Sequence, residues 1–166
     1  FDIIQKEIPA KLLLIGDGPE RSNIEKVCRE LGVCNKVTFL GKQEAIEEIL
    51  SICDLFILPS ESESFGLSAL EAMACEVPVI STNTGGLPEV NIHGVTGFLS
   101  NIGDYQNMAA NSLILLQNDT LLVQFRKNAL EQAKNFDLDR ILNQYLEVYE
   151  EMIALTDAKS AANSPL

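Results

Sequence analysis

The chain is predicted to be an α/β protein, a Rossmann-like parallel sheet flanked by helices with a helical C-terminal segment. Three observations predict this. Short apolar runs at 11–15, 37–40, 55–58 and 77–80 alternate with segments of helical period. None of the runs alternates with period two, as expected of strands covered on both faces. Each run ends in a polar or glycine-containing turn, and strands joined this way by helices form right-handed parallel βαβ units.

Phe1, Ile4 and Ile8 keep a helical period that stops at Pro9. No start signal precedes them, so the domain is expected to be cut at its N-terminal edge. The run 11–15 is a strand ending at Gly16-Asp17-Gly18-Pro19. Pro19 and Glu20 suit a helix first turn, Ile24, Val27, Cys28 and Leu31 form its apolar stripe, and Gly32 closes it. The next strand, 37–40, ends at Gly41. A helix at about 43–52 turns Ala45, Ile46, Ile49 and Leu50 inward. The strand 55–58 leads through a serine-rich turn into a helix at 65–75. The run 77–80 is a strand whose proline suits its start, and a glycine-rich loop follows. A brief strand at 98–99 precedes helices at about 104–117, 119–134 and 137–154. Residues 1–156 are expected to form one domain, and 157–166, without apolar period, a disordered tail.

A chain of 166 residues buries roughly 70% of its unfolded surface, enough to need no disulfide staples. A net charge of −12 argues against nucleic acid or an anionic membrane as the main partner. Any phosphate site must then be local, built from backbone dipoles and a few cations. Cys28, Cys34, Cys53 and Cys75 show no paired spacing and no metal-like spacing with His93. They are expected to be reduced, mostly buried thiols of a cytoplasmic protein. No apolar run is long enough to span a bilayer, and no signal peptide is recognisable.

In parallel sheets ligands bind at the carboxyl ends of the strands. The loops 16–20, 41–43, 60–67 and 82–89 all follow strands and are expected to line one crevice. Gly16-Asp17-Gly18-Pro19-Glu20-Arg21 has part of a dinucleotide fingerprint, but Arg21 stands where the third glycine is required. The loop is either a tight turn or a turn that also approaches a ligand. Glu63 and Glu71 bracket the turn before the 65–75 helix. That helix start offers free N–H groups and a positive dipole end to an anion. At 1.5 Å per residue, Glu71 lies roughly 8 Å beyond it, about the distance from a diphosphate to a ribose diol. A carboxylate suits a cis-diol and does not suit a phosphate.

The stretch Glu63-Ser64-Phe65-Gly66-Leu67-Ser68-Ala69-Leu70-Glu71-Ala72-Met73-Ala74 resembles the Glu-x7-Glu signature of the family-4 retaining glycosyltransferases of GT-B fold. Gly16-Asp17-Gly18-Pro19-Glu20, Phe39-Leu40-Gly41, Asp54, Val77-Pro78-Val79-Ile80, Gly85-Gly86-Leu87-Pro88-Glu89, Gly94-Val95-Thr96-Gly97-Phe98-Leu99 and Gly103-Asp104 stand in the family's order. The resemblance runs from Lys11 to about Ile153 and implies the C-terminal, donor-binding domain. Within the family, 39–43, 63–75 and 144–149 are most similar to members that join N-acetylglucosamine to L-malate in bacillithiol synthesis.

The resemblance implies a UDP-sugar donor. It implies that Glu63, the candidate catalytic group, holds the sugar hydroxyls, and that Ser64, Phe65, Gly66 and Leu67 lie near sugar and phosphates. Glu71 would bind the ribose diol, Leu40, Gly41 and Lys42 the uracil edge through their backbone, and Gly16 would lie beside the nucleotide. Gly85 and Gly86 either line the same crevice or serve the loop alone. Glu89 is expected to be a loop cap and His93 an ordinary loop residue. Family members of this kind use front-face attack assisted by the leaving phosphate, with no obligatory metal or enzyme nucleophile. The partner they require is an N-terminal acceptor-binding domain, together with an Arg/Lys pair that would precede Phe1. The fragment alone is expected to transfer nothing, and an open face on its last helix to favour self-association. The rival readings are a non-catalytic sugar-nucleotide-binding or interaction module and, more remotely, an NAD-binding domain.

Overall fold

The strand Val79–Thr82, β4, is buried along its whole length and carries the molecule's two cores on its two faces. Successive side chains of a strand point to opposite faces. Val79 accordingly joins Leu50, Ala69, Ala72, Met73, Leu87, Val90 and Ala129 on one side. Ile80 joins Met108, Leu115 and Phe125 on the other. Two-sided cover is why this run lacks alternation.

The computed structural model describes residues 1–162, with side-chain surroundings through 156. In chain order the elements are α1 (Asp2–Glu7), β1 (Leu12–Ile15), α2 (Arg21–Glu30), β2 (Val37–Gly41), α3 (Ile46–Leu50), β3 (Phe56–Leu58), α4 (Leu67–Ala74), β4, α5 (Leu87–Val90), β5 (Gly97–Ser100), α6 (Tyr105–Leu116), α7 (Asp119–Ala133) and α8 (Leu138–Ala162). All strand pairings are parallel. The strands fall into two sheets, β1-β2 and β3-β4-β5. In the larger sheet Phe56 pairs with Val79 and Val79 with Gly97, which sets the carboxyl ends of all three strands on one side. The α1 helix packs on α6, and its Gln5 accepts a hydrogen bond from Lys36 beside β2, so α1 links the two sheets' surroundings. The long α8 packs chiefly against the turn Lys134–Phe136.

Several expected elements are corrected. β4 begins at Val79 and not at 77, because Val77 N–H closes the end of α4 on Ala72 O (2.9 Å). Pro78 has no N–H for the ladder, though its carbonyl accepts from Phe56. α4 starts at Leu67 and not at 65, behind Gly66 at φ +100°. α3 is shorter than 43–52, because Gln43 turns its side chain back onto the Leu40 carbonyl (2.6 Å) and Ala45 is not helical. Ala45 is exposed, not inward. Of the α2 stripe only Cys28 is buried; Ile24, Val27 and Leu31 stay 41–50% exposed. The glycine-rich loop contains the short helix α5, which the sequence reading did not anticipate. α8 continues to Ala162, past the expected end at 154 and into the stretch expected to be a tail; residues 163–166 lie outside the described residues.

Candidate functional site

The expected site residues gather in two clusters, one at the carboxyl end of each sheet. No hydrogen bond joins one cluster to the other among the described residues. The first cluster forms where β1 and β2 end. Gly16 N–H donates to Gly41 O (2.8 Å), tying the two loops together. Leu40 O accepts from the Gln43 side chain (2.6 Å), so the carbonyls of both Leu40 and Gly41 help to fix this loop. Lys42 is exposed and free of ion pairs among the described residues. An open cavity of about 300 Å³ lies beside Gly16, lined by Leu14, Asp17, Arg21, Ile24 and Phe39 among others. Arg21 sits over the Phe39 ring, 5.6 Å from its centroid, and pairs with Glu25 (3.2 Å). That arginine fills the position a dinucleotide fingerprint reserves for glycine, which argues against an NAD site here.

The second cluster is the turn between β3 and α4. Helix α4 has no side-chain cap at its N-terminus and no acid in its first turn. The N–H groups of Phe65, Gly66, Leu67 and Ser68 donate to no acceptor among the described residues. These are the orphan donors of a helix start, aimed where an anion gains from the dipole. Glu63 is half-buried beside them, and Glu71 is exposed on α4 rather than partly buried as its apolar neighbours suggested. Neither carboxylate has a hydrogen bond or ion pair among the described residues. With α4 starting at Leu67, Glu71 stands roughly 6 Å along the axis from the first helical residue, closer than the expected 8 Å. Ser64 is exposed, and the Phe65 ring leans edge-on against Phe136 at 5.8 Å.

Gly85 and Gly86 pack against the backbone of this turn. A Cβ on Gly85 would stand 1.6 Å from Glu63 O, and one on Gly86 2.9 Å from Ser64 O. Their small size is therefore required by the loop itself. Among the described residues the Glu89 side chain caps nothing; its carbonyl accepts from Gln132. His93 Nδ1 accepts from Leu99 N–H (3.0 Å), the loop role expected of it.

Two functional supports escaped the sequence reading. Arg126 of α7 pairs with Asp54 (2.9 Å) and donates to Cys53 O, fixing the approach to β3. Asn91, fully buried, donates to Val79 O and Ser81 Oγ (both 3.0 Å) and accepts from Thr96, so it locks β4 to β5. A lone arginine and a lone asparagine carry no spacing signal that would have marked them. The thiols are less buried than expected: Cys28 is buried, Cys53 and Cys75 partly so, and Cys34 is exposed. Burial pushes the Cys28 thiol up, with Cys34 adding to it; burial also raises Cys75, with Glu47 and Glu71 contributing.

Parallel strands flanked by helices, with an uncapped helix start after β3 and two unpartnered glutamates beside it, define an α/β protein with a candidate anion site at its strand ends. Comparison with known proteins gives it a family. The profile of the glycosyl transferases group 1 matches residues 1–132, and the chain belongs to that family as the donor-binding, C-terminal half of a GT-B fold. It is 43% identical over 154 residues to the N-acetyl-alpha-D-glucosaminyl L-malate synthase of Bacillus anthracis, covering 92% of this chain and 40% of that protein. It is 31% identical to the 2-deoxystreptamine N-acetyl-D-glucosaminyltransferase of Niallia circulans, over 90% of this chain and 40% of that one. Among solved structures, Anabaena HepE in complex with UDP superposes with a TM-score of 0.82 at 30% identity, covering 90% of this chain and 43% of HepE. The chain spans about two-fifths of the length of these relatives. No helix among the described residues is long and apolar enough to cross a membrane.

Proposed function

We propose that this chain binds the UDP-sugar donor of a retaining glycosyltransferase, with UDP-N-acetylglucosamine as donor and L-malate as acceptor of the whole enzyme. The observation that carries the reading is the start of α4: four free N–H groups, no acid in the first turn, and two unpartnered carboxylates on either side. The N–H groups of Phe65, Gly66 and Leu67 meet the diphosphate. As the acceptor hydroxyl attacks the anomeric carbon, the bond to the phosphate oxygen breaks, negative charge grows on the leaving UDP, and the hydroxyl proton passes to that phosphate oxygen. Fixed dipoles at that point stabilise the charge without reorganising. Glu63 accepts hydrogen bonds from sugar hydroxyls and sets the ring for front-face attack. Glu71 accepts two bonds from the ribose diol. Gly16, Leu40, Gly41 and Lys42 receive the uracil end. The choice of donor and acceptor is supported by the Bacillus anthracis relative, named as a glucosaminyl L-malate synthase. UDP as the nucleotide is supported by the UDP and UDP-glucose complexes of Anabaena HepE. The acceptor site is assigned to the part of the relatives' length that this chain does not cover.

The test is calorimetry with UDP, UDP-N-acetylglucosamine and NAD. A hydrogen bond to a charged group contributes about 1.5–3 kcal/mol, so Glu71→Ala is expected to weaken UDP roughly 10- to 100-fold. Glu63→Ala should spare UDP and weaken only the UDP-sugar. Unchanged UDP affinity in Glu71→Ala would remove the ribose assignment, and binding of NAD in place of UDP would remove the reading as a whole.

A further inference from the structure

We infer that the segment 82–87 is the template that positions the Glu63 carboxylate, with Thr82 and Gly85 as positioning residues for donor-sugar selectivity. The inference rests on the reading of Glu63 as a sugar ligand and adds what holds it in place. The loop 60–64 has no secondary structure of its own. Among the described residues its only hydrogen bonds come from this segment. Thr82 Oγ1 donates to Ser60 O (2.6 Å) and Thr84 Oγ1 to Glu61 O (3.4 Å). The contacts then continue in step. Gly85 lies on Glu63 O, Gly86 on Ser64 O and the Phe65 backbone, and Leu87 on Gly66. Residues 60, 61, 63, 64 and 66 thus meet 82, 84, 85, 86 and 87 in order.

At Gly85 and Gly86 the fit is backbone to backbone, so no rotamer change relieves an added atom there. A methyl on Gly85 would fall 1.6 Å from Glu63 O, and the residue's φ of +55° disfavours any side chain besides. Something must shift, and what lies in the way is the peptide that carries Glu63. Thr82 is 1% exposed at the end of β4, so its hydroxyl is aimed by the central strand of the sheet. The rigid strand sets the hydroxyl, the hydroxyl and the glycines set the loop, and the loop sets the carboxylate. Displacements on the order of 1 Å at such a group are enough to cost about 100-fold in a reaction that depends on alignment. Glu71 lies a full turn into α4, and Thr82 and Gly85 meet residues 60 and 63 rather than the 65–67 N–H groups given to the diphosphate, so changes at these two positions should act on the sugar before the nucleotide.

The experiment measures affinity for UDP and for UDP-N-acetylglucosamine by calorimetry on the full chain and on Glu63→Ala, Gly85→Ala, Thr82→Val and Thr82→Ser. Circular dichroism checks folding. The expected result is that Gly85→Ala and Thr82→Val lose roughly tenfold or more of the UDP-sugar's advantage over UDP while UDP affinity holds, and that Thr82→Ser keeps the advantage. If Gly85→Ala does not fold, the Thr82 pair decides, since a merely structural threonine would not separate the two ligands. Loss in Glu63→Ala with no loss in folded Thr82→Val overturns the template alone. No loss in Glu63→Ala overturns the sugar assignment on which it stands.

Discussion

Asn91 shows how one side chain can hold the site's scaffold. Its amide donates to the Val79 carbonyl and Ser81 hydroxyl, and its oxygen accepts from Thr96, all within the buried seam between β4 and β5. No buried side-chain polar atom is left unsatisfied among the described residues, so removing this amide creates the deficit. Each buried group stranded without a partner costs about 1–3 kcal/mol, and Asn91→Ala strands more than one, so a loss of at least about 2 kcal/mol is expected in urea unfolding. Asn91→Asp gives a sharper outcome. A carboxylate there would face the Val79 carbonyl without a proton to give, and burial would raise its folded pKa above the unfolded value. Stability from such a group is present below the unfolded pKa and lost as pH rises through the folded one. The deficit of Asn91→Asp relative to the parent should therefore narrow as pH falls toward the carboxyl range and stay wide at neutral pH. A deficit independent of pH would mean the carboxylate reaches solvent. Nothing in the sequence distinguishes this asparagine from Asn83 or Asn101, because its importance comes from burial.

At the scale of elements, α4 is where sequence and structure can be compared most closely. The strand-turn-helix at 55–75 and the two glutamates were legible because an apolar run, a glycine and strong helix formers follow one another without conflict. The start at Leu67 was not, since Gly66 is read equally well as a first-turn residue until its φ of +100° is known. The shift of β4 has the same origin. α4 ends in a Schellman arrangement, with Glu76 N–H on Met73 O and Val77 N–H on Ala72 O. That arrangement takes Val77 out of a run that looks like strand. It also places Glu76 at φ +59°, the one non-glycine residue with positive φ among the described residues. A left-handed conformation costs an L-residue about 1–2 kcal/mol, partly offset when glycine's greater unfolded freedom is counted, so Glu76→Gly should stabilise the chain by about 0.5–1 kcal/mol. Chemical denaturation measures this directly, and a destabilised variant would show that the Glu76 side chain makes a contribution the fold does not reveal.

For the whole molecule, what sequence periodicity could not give is the division of labour between the body and its last helix. The apolar pattern at Ile141, Leu142, Tyr145, Val148, Tyr149 and Met152 suggested a helix packed on the domain. In the structure Leu142, Tyr145, Val148, Tyr149 and Met152 are each more than half exposed, and among the described residues no α8 side chain belongs to either core. A period identifies the helix but is silent on whether anything covers it. Exposed apolar surface on this scale favours association. The body, by contrast, is closed by Ala129, Ala133 and Phe136 before α8 begins. A chain ended after Asp137 is therefore expected to unfold cooperatively with a midpoint close to that of the full chain, and to retain UDP binding, because Glu63, Glu71 and the α4 start lie within the body. Analytical ultracentrifugation should find the full chain associating as concentration rises and the shortened chain monomeric over the same range. A large fall in midpoint on shortening would show that α8 stabilises the body. Equal association of both chains would move the sticky surface elsewhere, to the half-exposed Ile24, Val27 and Leu31 of α2.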